Sequence, residues 1–348
     1  MTTKNTPVTV AILGATGRVG QELLKVLEER NFPIKELKLL ASARSKDATI
    51  TWKGKSYPVE EVNADSFKGV DIVLASAGND ISLKWSPIAV QAGATVIDNS
   101  NAFRMDASVP LVVPEVNGHA LHDHQGIIAN PNCSTSQLVP VLKLLHEQAG
   151  LKRVIISTYQ SVSGAGKEAM EELEVQTKAL MDGKNHQPTV FQRQIAFNLI
   201  PHIDKFVDDG YTKEEMKMIQ ETRKILELPG LPITATCVRV PVMVGHSESV
   251  TVDLERHITV KEAREALEAS PIIEVWDNPE DHHYPTPIDA AGEDPVYVGR
   301  IRPDTSSPTG LNLWVVADNL RIGAALNAVR IAEYLLDHNL VRPAVASR

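Results

Sequence analysis

Val8-Thr9-Val10-Ala11-Ile12-Leu13-Gly14-Ala15-Thr16-Gly17-Arg18-Val19-Gly20 is the stretch on which the fold turns. Its first six residues are a short apolar and β-branched run, the composition of a strand buried on both faces of a parallel sheet. Leu23, Leu24 and Leu27 follow near helical spacing, with Gln21, Glu22, Lys25 and Glu28 between them. Strand, glycine turn and amphipathic helix therefore come in order and form one βα unit. In the turn, Gly14, Gly17 and Gly20 remove side chains where backbone N–H groups and a helix N-terminus can approach a pyrophosphate. Such a turn is also compatible with a tight junction that binds nothing, but its place at the first βα junction favours a dinucleotide.

Strand-like runs at residues 37–40, 71–74, 94–98 and 126–129 are spaced as the alternating strands and crossovers of a doubly wound sheet. The first domain is expected over residues 1–132, rejoined by about 322–348, which carry an Ala-rich helix over 323–336. An NAD site would place Asp or Glu after the second strand to accept from the ribose 2′-OH. The chain instead reads Ala41-Ser42-Ala43-Arg44-Ser45. Arg44 with Ser42 and Ser45 suits a 2′-phosphate, hence NADP, although an arginine there also fits a solvated loop. Ser76-Ala77-Gly78 ends the 71–74 strand, where a ligand-facing loop belongs.

Beyond residue 132 the character changes. Runs at 153–159, 235–242, 249–254, 296–301 and 311–316 predict longer strands in a mixed or antiparallel sheet. Helices are expected over 213–226 and over 260–269 behind Thr259 as N-cap, with 277–295, rich in Pro, Asp, Glu and His, as a polar loop. A chain of 348 residues is long for a single core, which agrees with two domains.

The net charge of -9 leaves no broad basic field, so nucleic acid and anionic membranes are poor partners and any anion site must be focal. No stretch approaches the about 18 apolar residues of a spanning helix, and Met1-Thr2-Thr3-Lys4-Asn5-Thr6-Pro7 lacks the apolar core of a signal peptide. Two cysteines make no disulfide framework, and the expected compartment is the cytoplasm. No metal site is expected: His119, His122, His124, His282 and His283 lie in polar stretches without tetrahedral-ligand spacing.

The two cysteines read differently. Cys237 lies inside the strand-like run Ala235-Thr236-Cys237-Val238-Arg239-Val240, the setting of a packed thiol. Cys133, in Asn130-Pro131-Asn132-Cys133-Ser134-Thr135-Ser136, stands where an apolar run gives way to a helix start. Free N–H groups and the positive end of a helix lower a thiol pKa there. The same position also suits a buried structural cysteine, and Pro140 points to a kink or a late helix start.

The Asn-Pro-Asn-Cys-Ser-Thr segment, the Gly14 turn, Gln160-Ser161-Val162-Ser163-Gly164-Ala165-Gly166, and Arg239-Val240-Pro241-Val242 leading to His246 together resemble the aspartate-β-semialdehyde dehydrogenases, in family order and through essentially the whole chain. The resemblance implies an α/β Rossmann NADP-binding domain plus a catalytic α+β domain with a mixed sheet, residues 133–321, that forms a homodimer. It implies the reversible, NADP-dependent conversion of L-4-aspartyl phosphate to L-aspartate 4-semialdehyde and phosphate, a step toward lysine, threonine, methionine and diaminopimelate. Cys133 would carry a thioester, His246 would take and return the thiol proton, and Gln160 would orient the intermediate. Arg239 would clamp the α-carboxylate, Arg104 and Lys217 the phosphate, and Glu214 the ammonium, with Asn132 a further substrate contact. The NADP contacts implied are Gly14, Thr16, Gly17, Arg18, Val19, Ser42, Arg44, Ser45, Ser76, Ala77, Gly78, Ser163, Gly164 and Asn319.

Two alternatives stand beside this. N-acetyl-γ-glutamyl-phosphate reductase, of arginine biosynthesis, resembles the family but takes an acylated, uncharged amine, and Glu214 speaks against it. A non-catalytic NADP-binding sensor would need none of Cys133, Gln160, Arg239 and His246.

Overall fold

The structure is a computed structural model and describes residues 6–45 and 48–341. The stretch Met1 to Asn5 and the last seven residues of the expected first domain lie outside the described residues. The chain divides into two units, one running to Asn132 and resuming at Ala324, the other Cys133–Gly323.

In the first unit all six residues of β1 (Val8–Leu13) are buried, which is why the run is apolar throughout. Helix α1 (Arg18–Glu29) buries Leu23, Leu24 and Leu27 on one stripe. There follow β2 (Ile34–Ala41), β3 (Thr49–Trp52), β4 (Lys55–Glu61), β5 (Ile72–Ala75), α2 (Asn79–Gln91), β6 (Thr95–Asp98), α3 (Pro114–Asn117) and β7 (Ile127–Ala129). The sheet order is β3-β4-β2-β1-β5-β6-β7, parallel except for β3. Phe67 and Trp85 join Leu13, Leu40, Val73 and Val96 in its core. The chain goes to β2 on one side of β1 and to β5 on the other, so order reverses there, the switch point at which such sheets bind ligands. Leu13 pairs with Leu40 and Ala75, and Ala75 with Asp98, so the loops after these strands leave from one edge. The β3–β4 hairpin carries no strand signal because it is largely exposed; Lys53 and Gly54, both at positive φ, make its two-residue turn.

The second unit holds α4 (Cys133–Ala149), β8 (Leu151–Gln160), α5 (Lys167–Met181), α6 (Lys213–Ile225), β9 (Ile233–Arg239), β10 (His246–Leu254), α7 (Val260–Glu268), β11 (Ile273–Val275), α8 (Pro287–Ala290), β12 (Val296–Pro303) and β13 (Gly310–Ala317). Its sheet is mixed, in the order β11-β12-β13-β10-β8-β9. Along β8 and β10 buried residues alternate with partly exposed ones, and α4 packs on both strands. Thr259 caps α7, accepting from the Glu262 amide.

Several boundaries differ from the sequence expectation. Helix α4 starts at Cys133 and runs through Pro140, so the proline does not delay it. The strand expected over 235–242 ends at Arg239, and the one expected from 249 begins at His246. The polar segment 277–295 contains α8, started by Pro287 at its first position and by a Thr286–Asp289 capping box. The C-terminal helix is Leu326–Asp337, not from Gly323; Arg321–Ala325 wind as a π-helical turn. A Cβ on Gly323 would lie 2.7 Å from Cβ of Cys133, so this turn tolerates no side chain there. Among the described residues no helix is long and apolar enough to cross a membrane.

Candidate active site

The starts of two elements meet in the second unit: Cys133, the first residue of α4, and His246, the first of β10. Cys133 Sγ lies 3.3 Å from His246 Nε2. The other ring nitrogen, Nδ1, accepts the Ser161 backbone N–H at 3.1 Å, and Ser161 Oγ lies at the same distance. Asn319 braces these segments: its Oδ1 accepts from the Gly245 N–H and the hydroxyls of Ser161 and Ser163, and its Nδ2 donates to Ser163 Oγ. Burial pushes the His246 pKa well below 6.5 and the Arg239 charge adds to this, against a smaller opposing hydrogen bond of Gly245. The imidazole is therefore neutral at ordinary pH.

Arg239 ends β9 beside Gln160 of β8, and its Nη1 donates to Ser161 O at 2.6 Å. Burial lowers its pKa, while Glu214 and then Cys133 pull it back up, which places the Glu214 carboxylate and the Cys133 sulfur within its field. Gln160 is buried and donates to Thr158 Oγ1 at 3.3 Å. Glu214 and Lys217, one turn apart on α6, pair at 3.0 Å, and Lys217 also meets Asp204 at 2.9 Å. Burial opposes the charge of Lys217, but Glu214 and Asp204 outweigh it and raise the pKa above 10.5. Cys237 is fully buried; burial first, then nearby carboxylates, push its thiol far above the ordinary value, so it stays protonated.

The unit thus gathers Cys133, Gln160, Ser163, Glu214, Lys217, Arg239, His246 and Asn319, with Gly164 against the Arg239 and His246 side chains. Sequence reading missed Ser161, whose contact with the ring runs through its amide as well as its hydroxyl, and Asp204, which lies in an irregular stretch at φ 67. Ser161 lies within the Gln160–Gly166 motif without a role of its own there, and Asp204 lies in no motif.

In the first unit Arg104 is buried, with Nε donating to Asn130 O and Nη2 to Asn99 O, both at 2.8 Å. Asn132 is buried. At the glycine turn, Gly14 has φ +92 and a Cβ on it would lie 2.6 Å from Ser76 O; one on Gly20 would meet Gly14 O at 2.3 Å. The turn is thus closed to side chains on both sides. Helix α1 begins at Gly17 with no side-chain cap and no acid in its first turn, which leaves its positive end for an anion. Thr16 Oγ1 and Ser45 Oγ stand 3.2 Å apart, joining the turn to the β2 loop where Ser42 and Arg44 are exposed. Thr16, Arg18 and Gly78 are exposed, while Val19, Ser76 and Ala77 are half-buried. These residues fit a dinucleotide.

A switch-point nucleotide edge and a thiol–imidazole pair in one chain are the parts of a nicotinamide-dependent dehydrogenase working through cysteine. Residues 9–124 match the semialdehyde dehydrogenase NAD binding domain and residues 142–322 the semialdehyde dehydrogenase dimerisation domain. The chain is 55% identical to an aspartate-semialdehyde dehydrogenase of Aquifex aeolicus, over 95% of this chain and 99% of that one. Among solved structures, aspartate semialdehyde dehydrogenase II from Vibrio cholerae, complexed with ASA, superposes with TM-score 0.93 at 49% identity, covering 95% of this chain and 99% of that one. The enzyme of Candida albicans, with NADP, matches with TM-score 0.75 at 26% identity, covering 97% and 100%. The chain belongs to the aspartate-semialdehyde dehydrogenase family.

Proposed function

We propose that this protein interconverts L-4-aspartyl phosphate and L-aspartate 4-semialdehyde plus phosphate with NADP, through a thioester on Cys133. The observation that carries the reading is the 3.3 Å approach of Cys133 Sγ to His246 Nε2 beside the Arg239 guanidinium, in a chain of this family. A thiolate adds to an aldehyde readily, and its acyl thioester stays open to attack by phosphate. In this assignment Arg239 forks onto the substrate α-carboxylate, Glu214 binds its ammonium, and Gln160 and Asn132 orient the acyl group. Arg104 and Lys217 bind phosphate. Ligand-free, Lys217 rests against Asp204 and Glu214, so phosphate would displace a carboxylate partner.

NADP would be held by Gly14, Thr16, Gly17, Arg18 and Val19 at the phosphate turn, by Ser42, Arg44 and Ser45 at the 2′-phosphate, by Ser76, Ala77 and Gly78, and by Ser163, Gly164 and Asn319. When bound, the nicotinamide supplies the hydride acceptor or donor. NADP is favoured over NAD because the β2 loop offers a cation and two hydroxyls, and because the Candida albicans relative carries NADP. The first unit is assigned the nucleotide and the second the chemistry. A homodimer is favoured by the match to a dimerisation domain and by a sheet face left half-exposed at Ser157, Tyr159, Ser249, Thr251 and Trp314. The cytoplasm remains the assigned compartment.

NADP reduction by the purified protein with L-aspartate 4-semialdehyde and phosphate is the expected result. Turnover only with the N-acetylated glutamate aldehyde, or NADP binding with no turnover, would contradict it.

A further inference from the structure

We propose that Asn327 of the C-terminal helix, acting through Asn130 and Asn99, is a positioning residue for the Arg104 guanidinium. β6 and β7 are parallel neighbours with Asp98 beside Ala129, so Asn99 and Asn130 step off their ends side by side. Arg104 rests on the main-chain carbonyls of these two residues, Nε on Asn130 O and Nη2 on Asn99 O, both at 2.8 Å. A planar guanidinium held at two of its nitrogens has its plane fixed, so whatever sets those two carbonyls aims Arg104. Their side chains set them: Asn130 Nδ2 donates to Asn99 Oδ1 at 2.8 Å, and Asn327 Nδ2 donates to Asn130 Oδ1 at 2.6 Å. Each of the three amides also donates to a main-chain carbonyl, Asn99 to Ala75 O, Asn130 to Ala324 O and Asn327 to Val112 O. A carbonyl oxygen can only accept, so Nδ2 must face it in all three, and no amide of the series can flip. All of these residues belong to the first unit.

Asn327 is fully buried, and its Oδ1 has no partner among the described residues. The helix's other buried residues are all apolar, and an apolar side chain would bury at this position without the cost of an orphaned oxygen. Packing alone therefore does not account for an amide there; its two N–H donors do, one on Val112 O and one on Asn130. Without Asn327 the Asn130 amide loses the donor that holds its oxygen, and the spacing of the two carbonyls under Arg104 loosens. The functional consequence rests on the reading that Arg104 binds phosphate. A guanidinium already aimed by the protein binds the anion without first being ordered. One that must be ordered on binding loses roughly twofold to tenfold in affinity, the usual cost of immobilising one long side chain.

The test compares the full-length protein with Asn327→Ala and with Asn117→Ala, which removes another buried amide of the same unit, one that bonds the Val113 N–H and Leu111 O instead. Both variants should lose stability, so a lower Tm does not separate them. In ¹⁵N-arginine-labelled protein the Arg104 Nε–H signal is identified by its loss in Arg104→Lys. Its exchange with water should be roughly tenfold or more faster in Asn327→Ala and unchanged in Asn117→Ala. In kinetics, the KM for inorganic phosphate should rise roughly twofold to tenfold in Asn327→Ala, with the KM for aldehyde and for NADP within about twofold of the parent. None of the three should move in Asn117→Ala. Asn327→Ser, which keeps one donor, should show both effects more weakly and carries the same test should the alanine variant not fold. Unchanged Arg104 exchange in the Asn327 variants, an equal rise in phosphate KM in Asn117→Ala, or an equal rise in aldehyde KM overturns the proposal. The exchange measurement uses no substrate. Faster Arg104 exchange in a protein that does not turn over aspartate semialdehyde would count against the proposed reaction and leave the bracing of Arg104 standing.

Discussion

Gly164 is solvent-exposed, yet a Cβ on it would stand 3.2 Å from Arg239 Nη1 and 3.3 Å from His246 Nε2 and Cε1. Gly164→Ala should therefore press on Arg239 and His246, the side chains the proposed reaction assigns to the substrate carboxylate and to the sulfur, without touching the core. Displacing these groups by a few tenths of an ångström should lower kcat/KM roughly tenfold or more, with Tm falling by no more than about a few degrees; unchanged kinetics would place the substrate elsewhere. The two thiols should separate as sharply. Cys133→Ala is expected to abolish turnover and keep NADPH binding, whereas Cys237→Ala, removing a thiol that never ionises near neutrality, should stay active. The lowered pKa of His246 also sets a sign in pH: the ring is neutral above that depressed value, so activity should persist on acidification below 6.5. An acid limb at or above 6.5 that vanishes in His246→Gln would contradict this.

At the scale of elements, two buried glutamates behave oppositely. Glu172 on α5 accepts from the Thr189 hydroxyl and from the amides of Thr189, Val190 and Phe191. Burial alone would raise its pKa, but these donors outweigh it and lower the value below 4.5. Its contribution is present above the unfolded value and lost as pH falls through the folded one, so Glu172→Gln should cost about 2 kcal/mol near neutrality and much less in acid. Glu248 on β10 is fully buried with both carboxyl oxygens unpartnered, and burial raises its pKa well above 4.5. Its folded form keeps a proton that the unfolded chain gives up. Between those two values rising pH lowers stability, by about 1.4 kcal/mol per unit, so Glu248→Gln should raise Tm near neutrality and lose that advantage below pH 4.5; a lower Tm near pH 7 would contradict the unpaired state. Helix α5 itself was not legible in the sequence for a related reason. It buries Glu172 and Gln176 along with Ala169 and Leu173, so no apolar stripe marks it. β1 and α1 were legible because their burial follows the strand and helix patterns residue by residue.

Across the whole chain, what the sequence revealed depended on how chemistry is encoded. The glycine turn was readable because only glycine fits where Gly14 meets Ser76 and Gly20 meets Gly14. Cys133, Arg239 and His246 were readable as a set, through family resemblance, although no local pattern separated a nucleophile from a packed thiol. Ser161 and Asn319 were not readable as braces of the imidazole, because that work is done partly by a backbone amide and depends on segments distant in sequence. The start of α4 was obscured by Pro140, which sits well inside the helix. The central claim, that Cys133 carries the acyl group, is tested most directly by mixing the protein with L-aspartate 4-semialdehyde and NADP without phosphate, quenching in acid, and mapping peptides by mass spectrometry. The account predicts an aspartyl adduct on the Cys133 peptide that disappears when phosphate is added before the quench; an unmodified Cys133 peptide alongside NADPH formation, or an adduct on Cys237, would contradict it.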